Sequence, residues 1–393
     1  MPKGSARCDS YVMGVNWVKE FAHTPVMLQE VLQYLKPEPG AMILDATVGW
    51  GGHAEAIAQR LQPGGLLVGI DRDPQAIAAA RERLGVLGAG TTLINANFAD
   101  LSVVLDTFAR PLDGALFDLG VSSPQLDDPE RGFSYRADAP LDMRMDPHES
   151  VSAYHLVNGL SEAELESIIR RFGEERWAKR IAAFIVRRRQ THGLIHTTGE
   201  LVDVICAAVP VQGRSRGGMH PARRTFQALR IAVNNELGSL EAALREVVPY
   251  LRPGGRLVVI SFHSLEDRIA KNVLREFARD CICPPEWHAC QCGGGRALVR
   301  SLTPHPVRPS DEELAVNPRA RSAKMRVVER CAEGQRGRDA GGETLRLHGS
   351  GGDVDVPSLA DTLARWEPGA APRSARGRPR GGPLGPTPGS VVL

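Results

Sequence analysis

No apolar run approaches the ~20 residues that a membrane-spanning helix needs, and this sets aside an integral membrane protein. The opening MPKGSARCDSYVMGVNWVKE lacks the apolar core of a secretory signal. Cysteine is sparse and odd in number. Seven in 393 residues do not make a disulfide framework. Together these absences lead to the expectation of a cytoplasmic chain with reduced thiols. Charge of one sign is also missing, since the formal net charge is only +2. Any affinity for nucleic acid must therefore come from local clustering. What is abundant is apolar material, 42% of residues, ample for a core in a chain whose length suits two or three domains of ~100–200 residues.

The most informative stretch runs from Ile43 to Asp73. Met42, Ile43 and Leu44 read as a buried strand closed by Asp45, and the turn Thr47-Val48-Gly49-Trp50-Gly51-Gly52-His53 follows. Ala54, Ile57, Ala58 and Leu61 have helical spacing, Pro63-Gly64-Gly65 ends the helix, and Leu66 to Ile70 forms a second strand ending on Asp71. Strand, glycine turn, helix, strand and acid open a doubly wound α/β sheet. Gly49, Gly51 and Ala54 can be fitted to a dinucleotide fingerprint with Asp71 as the ribose acid. In such a site, however, the first glycine follows the strand directly so that a helix N-terminus receives pyrophosphate. Here Asp45 intervenes, and a carboxylate repels a pyrophosphate but suits a cation. S-adenosylmethionine carries a sulfonium, an ammonium and a ribose diol. The glycines let the backbone approach it, and Asp71 can accept from both ribose hydroxyls.

The rest of the chain fits around that unit. Residues 1–22 read as a loose lead-in. His23-Thr24-Pro25-Val26 opens a helix through Met27, Val31, Leu32 and Leu35, and Asp73-Pro74 begins another. Thr92 to Phe98 reads as a third strand whose end lies over the adenine, with Phe98 either stacked on it or part of the core. Leu112 to Leu119 is a fourth strand, followed by the loop Asp118 to Gln125 at its carboxyl end, where ligands of open α/β sheets bind. An exocyclic amine is a poor nucleophile because its lone pair is delocalised into the ring. A loop of carbonyl and hydroxyl acceptors helps localise that pair. Asp118, Ser122, Ser123 and Pro124 are therefore read as catalytic. Ser123-Pro124-Gln125 resembles a degenerate form of the Asp/Asn/Ser-Pro-Pro-aromatic loop of amino-methyltransferases. Gln125 stands where an aromatic is usual, and Phe133 or Tyr135 could supply the missing ring.

Beyond Asp127 the sequence becomes polar and proline-punctuated, then helical. Ser161-Glu162-Ala163-Glu164 is a capping box opening a helix that Gly173 ends. Trp177, Ile181, Phe184 and Ile185 share a face, and a further helix, Leu201 to Val209, stops at Pro210. Between Ile168 and Arg230 there are thirteen Lys or Arg against four Asp or Glu, densest at Arg187, Arg188 and Arg189 and at Arg214, Arg216, Arg223 and Arg224. Such an insert between two strands of a cofactor sheet suits the phosphate backbone of RNA. The sheet resumes with a helix over Ala222 to Tyr250 and a strand over Arg256 to Ser261. Ser261, His263 and Asp267 lie too close together in sequence to converge as a hydrolytic triad, so His263 is expected to order the loop or contact substrate. Cys281, Cys283, Cys290 and Cys292, with His288 between the pairs, have shorter spacing than zinc ribbons use. They are read as reduced cysteines without metal. Lys324 to Val328 alternates and is expected to be the final edge strand. From 332 to 393 the composition is too Gly/Pro/Arg-rich to order itself. Its Arg373, Arg376, Arg378 and Arg380 suit at most a weak nonspecific RNA tether.

Eight strings in order (HTPVML, DATVGWGGHAEAI, GIDRDPQAI, FDLGVSSPQLDDPERGFSYRADAPLDMRM, FGEERWAKRIA, HPARRTFQALRIAVNNEL, ISFHSLEDR and NPRARSAKMR) resemble the RsmH (MraW) family of 16S rRNA cytosine-N4 methyltransferases. The resemblance runs from about His23 to Arg330. It implies a Rossmann-like class I methyltransferase sheet (23–126 and 226–331) interrupted by an all-helical substrate domain (127–225), with a disordered tail. It also implies that Gly51, Gly52, His53, Asp71, Phe98, Asp118 and Gln125 line an S-adenosylmethionine site. The implied substrate is a decoding-centre cytidine of 16S rRNA in the small ribosomal subunit, met by a monomer or homodimer. Two other classes stay open at this point: a noncatalytic RNA-binding assembly factor and an NAD(P)-dependent oxidoreductase.

Overall fold

A computed structural model describes residues 25–85, 90–210, 220–281, 283, 287, 290–292 and 294–332. The lead-in 1–22, His23, Arg214, Arg216, His288, and the tail beyond 332, with Arg373, Arg376, Arg378 and Arg380, lie outside the described residues. Within them, a seven-stranded sheet forms the frame. The strands are β1 (Met42–Asp45), β2 (Leu66–Asp71), β3 (Gly90–Asn95), β4 (Leu112–Asp118), β5 (Leu251–Ser261), β6 (Val299–Ser301) and β7 (Lys324–Arg330). Their order across the sheet is β3-β2-β1-β4-β5-β7-β6. The first five pair in parallel, and β7 runs antiparallel to both β5 and β6. This is the doubly wound, Rossmann-like sheet expected from the sequence.

Why the central segments β1, β2 and β4 are strands follows from burial on both faces. Adjacent residues of a strand point to opposite sides. Accordingly Met42 and Leu44 join one apolar cluster with Phe117, Leu244 and Val259, whereas Ile43 joins another with Ile57, Leu116 and Met325. The helices α1 (Leu28–Leu35), α2 (Gly52–Leu61) and α3 (Pro74–Gly85) bury their apolar stripes in the second cluster. Short α4 (Leu101–Leu105) packs in the first.

Between β4 and β5 the chain is helical: α5 (Ser123–Asp127), α6 (Ala153–Gly159), α7 (Glu162–Gly173), α8 (Ala178–His192), α9 (Thr198–Ala208), α10 (Arg223–Asn234) and α11 (Glu236–Tyr250). The Ser161 box is formed, with Glu164 accepting from both the Ser161 amide (2.8 Å) and its hydroxyl (2.6 Å). Two further helices, α12 (Ser264–Phe277) and α13 (Asp311–Val316), follow β5 and β6 respectively. Among the described residues no helix is long and apolar enough to cross a membrane.

Three expectations need correction. The strand Lys324–Arg330 is not an edge: it lies between β5 and β6, and the three-residue β6 takes the outer place. The helix expected over Ala222 to Tyr250 breaks at Asn235, which adopts left-handed backbone (φ 45°) between α10 and α11. The segment after β4 is a loop only as far as Ser122. Ser122 then caps α5, with Pro124 in the first turn and Gln125 completing a capping box.

Candidate active site

The sheet reverses direction of growth between β1 and β4, and the cleft outside their carboxyl ends is where a ligand belongs. Three acids end the strands there: Asp45 on β1, Asp71 on β2 and Asp118 on β4. The intervening turn is wired to them. Gly49 N–H donates to Asp71 Oδ2 (2.9 Å) and Thr47 N–H to Asp45 Oδ1 (3.2 Å). Thr47 Oγ1 accepts from the Asp118 amide (2.7 Å). Asp71 Oδ1 takes the Asp73 N–H (2.9 Å). Each Asp71 oxygen thus has one lone pair committed and one left to accept from a ligand.

The turn needs its glycines for two different reasons. Gly51 sits at φ +79°, in the left-handed region, and so begins α2 at an angle that strains other residues. At Gly52 a Cβ would come 2.7 Å from Pro25 Cγ, so the close approach there is made by the chain before α1. His53 follows within the first turn of α2. Its Nε2 bonds the Val26 carbonyl at 2.9 Å, and its Nδ1 lies 3.5 Å from Asp118 Oδ2.

Electrostatically the cleft has too much negative charge for its surroundings. Burial, reinforced by the Asp71 charge, pushes the Asp45 carboxyl up to about 7. Burial raises Asp71 to about 6, against the lowering hydrogen bonds from the Asp73 and Gly49 amides. Asp118 is raised well above the usual range by burial, then by the charges of Asp45 and Glu266. Asp45 Oδ2 and Asp118 Oδ1 are buried with no hydrogen-bond partner among the described residues. Buried acceptors left unsatisfied call for a donor or a cation, and a sulfonium or ammonium ligand fits where a phosphate does not.

Phe98 opens a 3₁₀ turn after β3, half-buried, with its ring 6.0 Å from that of Phe117 in an edge-to-face arrangement. One side of that ring is therefore core. Gln125 is buried: Nε2 donates to Asp73 Oδ2 (2.7 Å), and Oε1 accepts from the Ser122 amide (3.0 Å). It braces the loop from behind. Ser123 is buried, whereas Ser122 and Pro124 are half-exposed. Of the two candidate rings, Phe133 is buried beneath Arg131, and Tyr135 is half-buried and stacked on His220 at 4.8 Å. His263 caps α12, with Nε2 3.0 Å from Glu266. Asp267 is bound to Arg326 and Lys324, so no triad converges.

The basic residues divide. Arg187 is exposed, with its guanidinium over the Phe184 ring; Arg223 and Arg224 are also exposed. Arg188 bonds the Gly193 carbonyl and Glu200. Arg189 is half-buried and donates to the carbonyls of Val157 and Leu160, tying α8 to the end of α6.

The sequence already marks Asp45 as an acid suited to a cation, ending β1 as Asp71 ends β2, but one support is not visible there. Arg131 pairs with the buried Asp73 at 2.9 Å and donates to the Arg144 and Met145 carbonyls. It lies 58 residues from Asp73, so no local pattern reveals it.

Residues 20–331 match the model of the MraW methylase family. A ribosomal RNA small subunit methyltransferase H from Heliobacterium modesticaldum is 54% identical over 312 residues, spanning 79% of this chain and 99% of that protein. Proteins of the same name from Pelobacter propionicus and Geobacter sulfurreducens are 54% and 53% identical, each over 79% of this chain and 99% of its own length.

Proposed function

We propose, for a chain that belongs to the MraW methylase family and uses S-adenosylmethionine, that it methylates small-subunit ribosomal RNA, on the N4 amine of a decoding-centre cytidine. The name carried by its relatives supports the RNA substrate. The observation that supports the site is a pair of buried oxygens without a partner among the described residues, Asp45 Oδ2 and Asp118 Oδ1, on the two acids that end β1 and β4 where the sheet reverses.

Bound in that cleft, S-adenosylmethionine supplies an electrophilic methyl on a positively charged sulfur. Asp71 accepts from the ribose hydroxyls, and Gly51, Gly52 and His53 shape the wall beside them. Phe98 offers the adenine the ring surface not given to Phe117. Asp45 and Asp118 balance the positive charge in a site where burial makes it count.

The cytosine turns out of its stack to reach this depth. Ser122, Ser123 and Pro124, held rigid by the Gln125 brace, position the amine on the β4 side. Positioning carries most of the rate, because no strong base is needed before attack. Once nitrogen is bonded to four atoms it sheds a proton, and Asp118 receives it. Arg187, Arg223 and Arg224 hold the RNA backbone, and Arg188 and Arg189 keep their helix in place.

The test is nucleoside mass analysis of small subunits lacking the modification, after incubation with the protein and methyl-labelled donor. Labelled N4-methylcytidine is expected. Label on carbon 5 or a ribose oxygen would overturn the N4 assignment, and RNA binding without any label would leave an assembly factor.

A further inference from the structure

The connection between α12 and β6 carries four cysteines in the pattern C-x-C-x₆-C-x-C, at positions 281, 283, 290 and 292. That spacing is shorter within each pair than zinc ribbons use, and alone it suggested only reduced thiols. The fold brings the pairs together. All four Sγ atoms lie within 4.8 Å of one another. Cys281–Cys290, Cys290–Cys292 and Cys292–Cys281 each stand at 3.5 Å. This is far beyond the ~2.05 Å of a disulfide. It is close to the ~3.8 Å edge of a tetrahedron of sulfurs placed ~2.3 Å from a central zinc.

Two further observations favour a metal over chance packing. Cys281 and Cys290 are exposed and Cys283 and Cys292 half-buried, so no apolar core gathers them. Backbone amides also aim at the sulfurs: Cys283 N–H at Cys281 Sγ (3.4 Å), and Gln291 and Cys292 N–H at Cys283 Sγ (3.3 and 3.2 Å). Amide donors on a sulfur stabilise the thiolate that ligates. The segment is closed at its base, where Leu298 N–H meets the Phe277 carbonyl (2.8 Å) and Arg296 N–H the Asp280 carbonyl (3.3 Å). Between those bonds no helix or strand is present among the described residues, so a staple has a physical task.

We infer that Cys281, Cys283, Cys290 and Cys292 bind one zinc ion as a closed, four-thiolate structural site. Four sulfurs leave no coordination position for water, so the metal has no part in methyl transfer. Binding releases the thiol protons to solvent and converts metal affinity into local stability.

The test uses the full chain purified without chelator from zinc-containing medium. Elemental analysis should give about one zinc per chain. The double variant Cys283→Ser/Cys292→Ser should lose it, and Cys331→Ser should keep it. Should the double variant fail to fold, the unaltered chain decides. Stripped with chelator under reductant, it should take up one equivalent of Co²⁺ with a thiolate-to-metal charge-transfer band. Zinc should shield four of its seven thiols from a thiol reagent. A metal-free or iron-bearing chain, or seven thiols reacting alike with and without zinc, would overturn the inference.

Discussion

On the proposed reading, replacing Asp71 with alanine removes the acceptor for two ribose hydroxyls. Each such charge-assisted bond contributes about 1.5–3 kcal/mol. Losing both should therefore weaken S-adenosylmethionine about 10²–10⁴-fold. The same change strips the Gly49 and Asp73 amides of their 2.9 Å partner. Folding stability should fall as well, by about 1–3 kcal/mol for each amide that water does not reach. Binding and folding are separable. Titration calorimetry on material shown folded by circular dichroism gives the donor Kd, and thermal melting without donor gives the second cost. Asp71→Asn refines the reading: one oxygen still accepts, but the new NH₂ faces an N–H. Its Kd should lie between those of the parent and the alanine variant. A Kd within about threefold of the parent for a folded Asp71→Ala protein would remove this carboxylate from the site.

Other perturbations probe separate parts of the molecule. Asp45 and Asp71 have folded pKa values of about 7 and about 6, above their unfolded values. The folded state therefore holds their protons more tightly, a contribution fully present below pH ~4 and lost as pH rises through 6 to 7. The donor-free protein should melt at lower temperature at pH 8 than at pH 5.5 on this account. The shift on adding S-adenosylmethionine should be larger at pH 8, and an equal or smaller shift there would contradict the charge balance. Arg131→Met leaves Asp73 buried without its cation and should cost about 3–5 kcal/mol in a denaturant melt; a loss under 1 kcal/mol would show that the pair is hydrated. Arg187→Glu should weaken RNA binding and make its salt dependence shallower, whereas Arg189→Glu should chiefly lower the melting temperature. Equal effects of the two on the salt slope would refute that division.

Much of this was legible because its signals are local in the sequence. Strands β1, β2 and β4 are short, buried on both faces and closed by acids, and the glycine turn lies between the first two. What was missed depends on contacts distant in sequence. β6 has only three residues, too few to show a period, and its pairing with β7 is what moves β7 off the edge. Helix α5 was signalled by Ser122-Ser123-Pro124-Gln125, a capping box with proline in the first turn, but the functional reading of that loop masked it. The dense Arg187–Arg189 run looked uniform. The period of the helix instead turns Arg189 toward the carbonyls of α6 and Arg187 toward solvent. For the cysteines, spacing within each pair says nothing of how near one pair comes to the other, and all four sulfurs lie within 4.8 Å of one another.

The most direct measurement is diffraction from crystals of the protein grown or soaked with S-adenosylmethionine. The ribose hydroxyls should lie within hydrogen-bond distance of the Asp71 carboxylate, and the sulfur on the side of Asp45 and Asp118. Density for the donor elsewhere on the molecule, or a cleft that stays empty at saturating donor, would contradict the site.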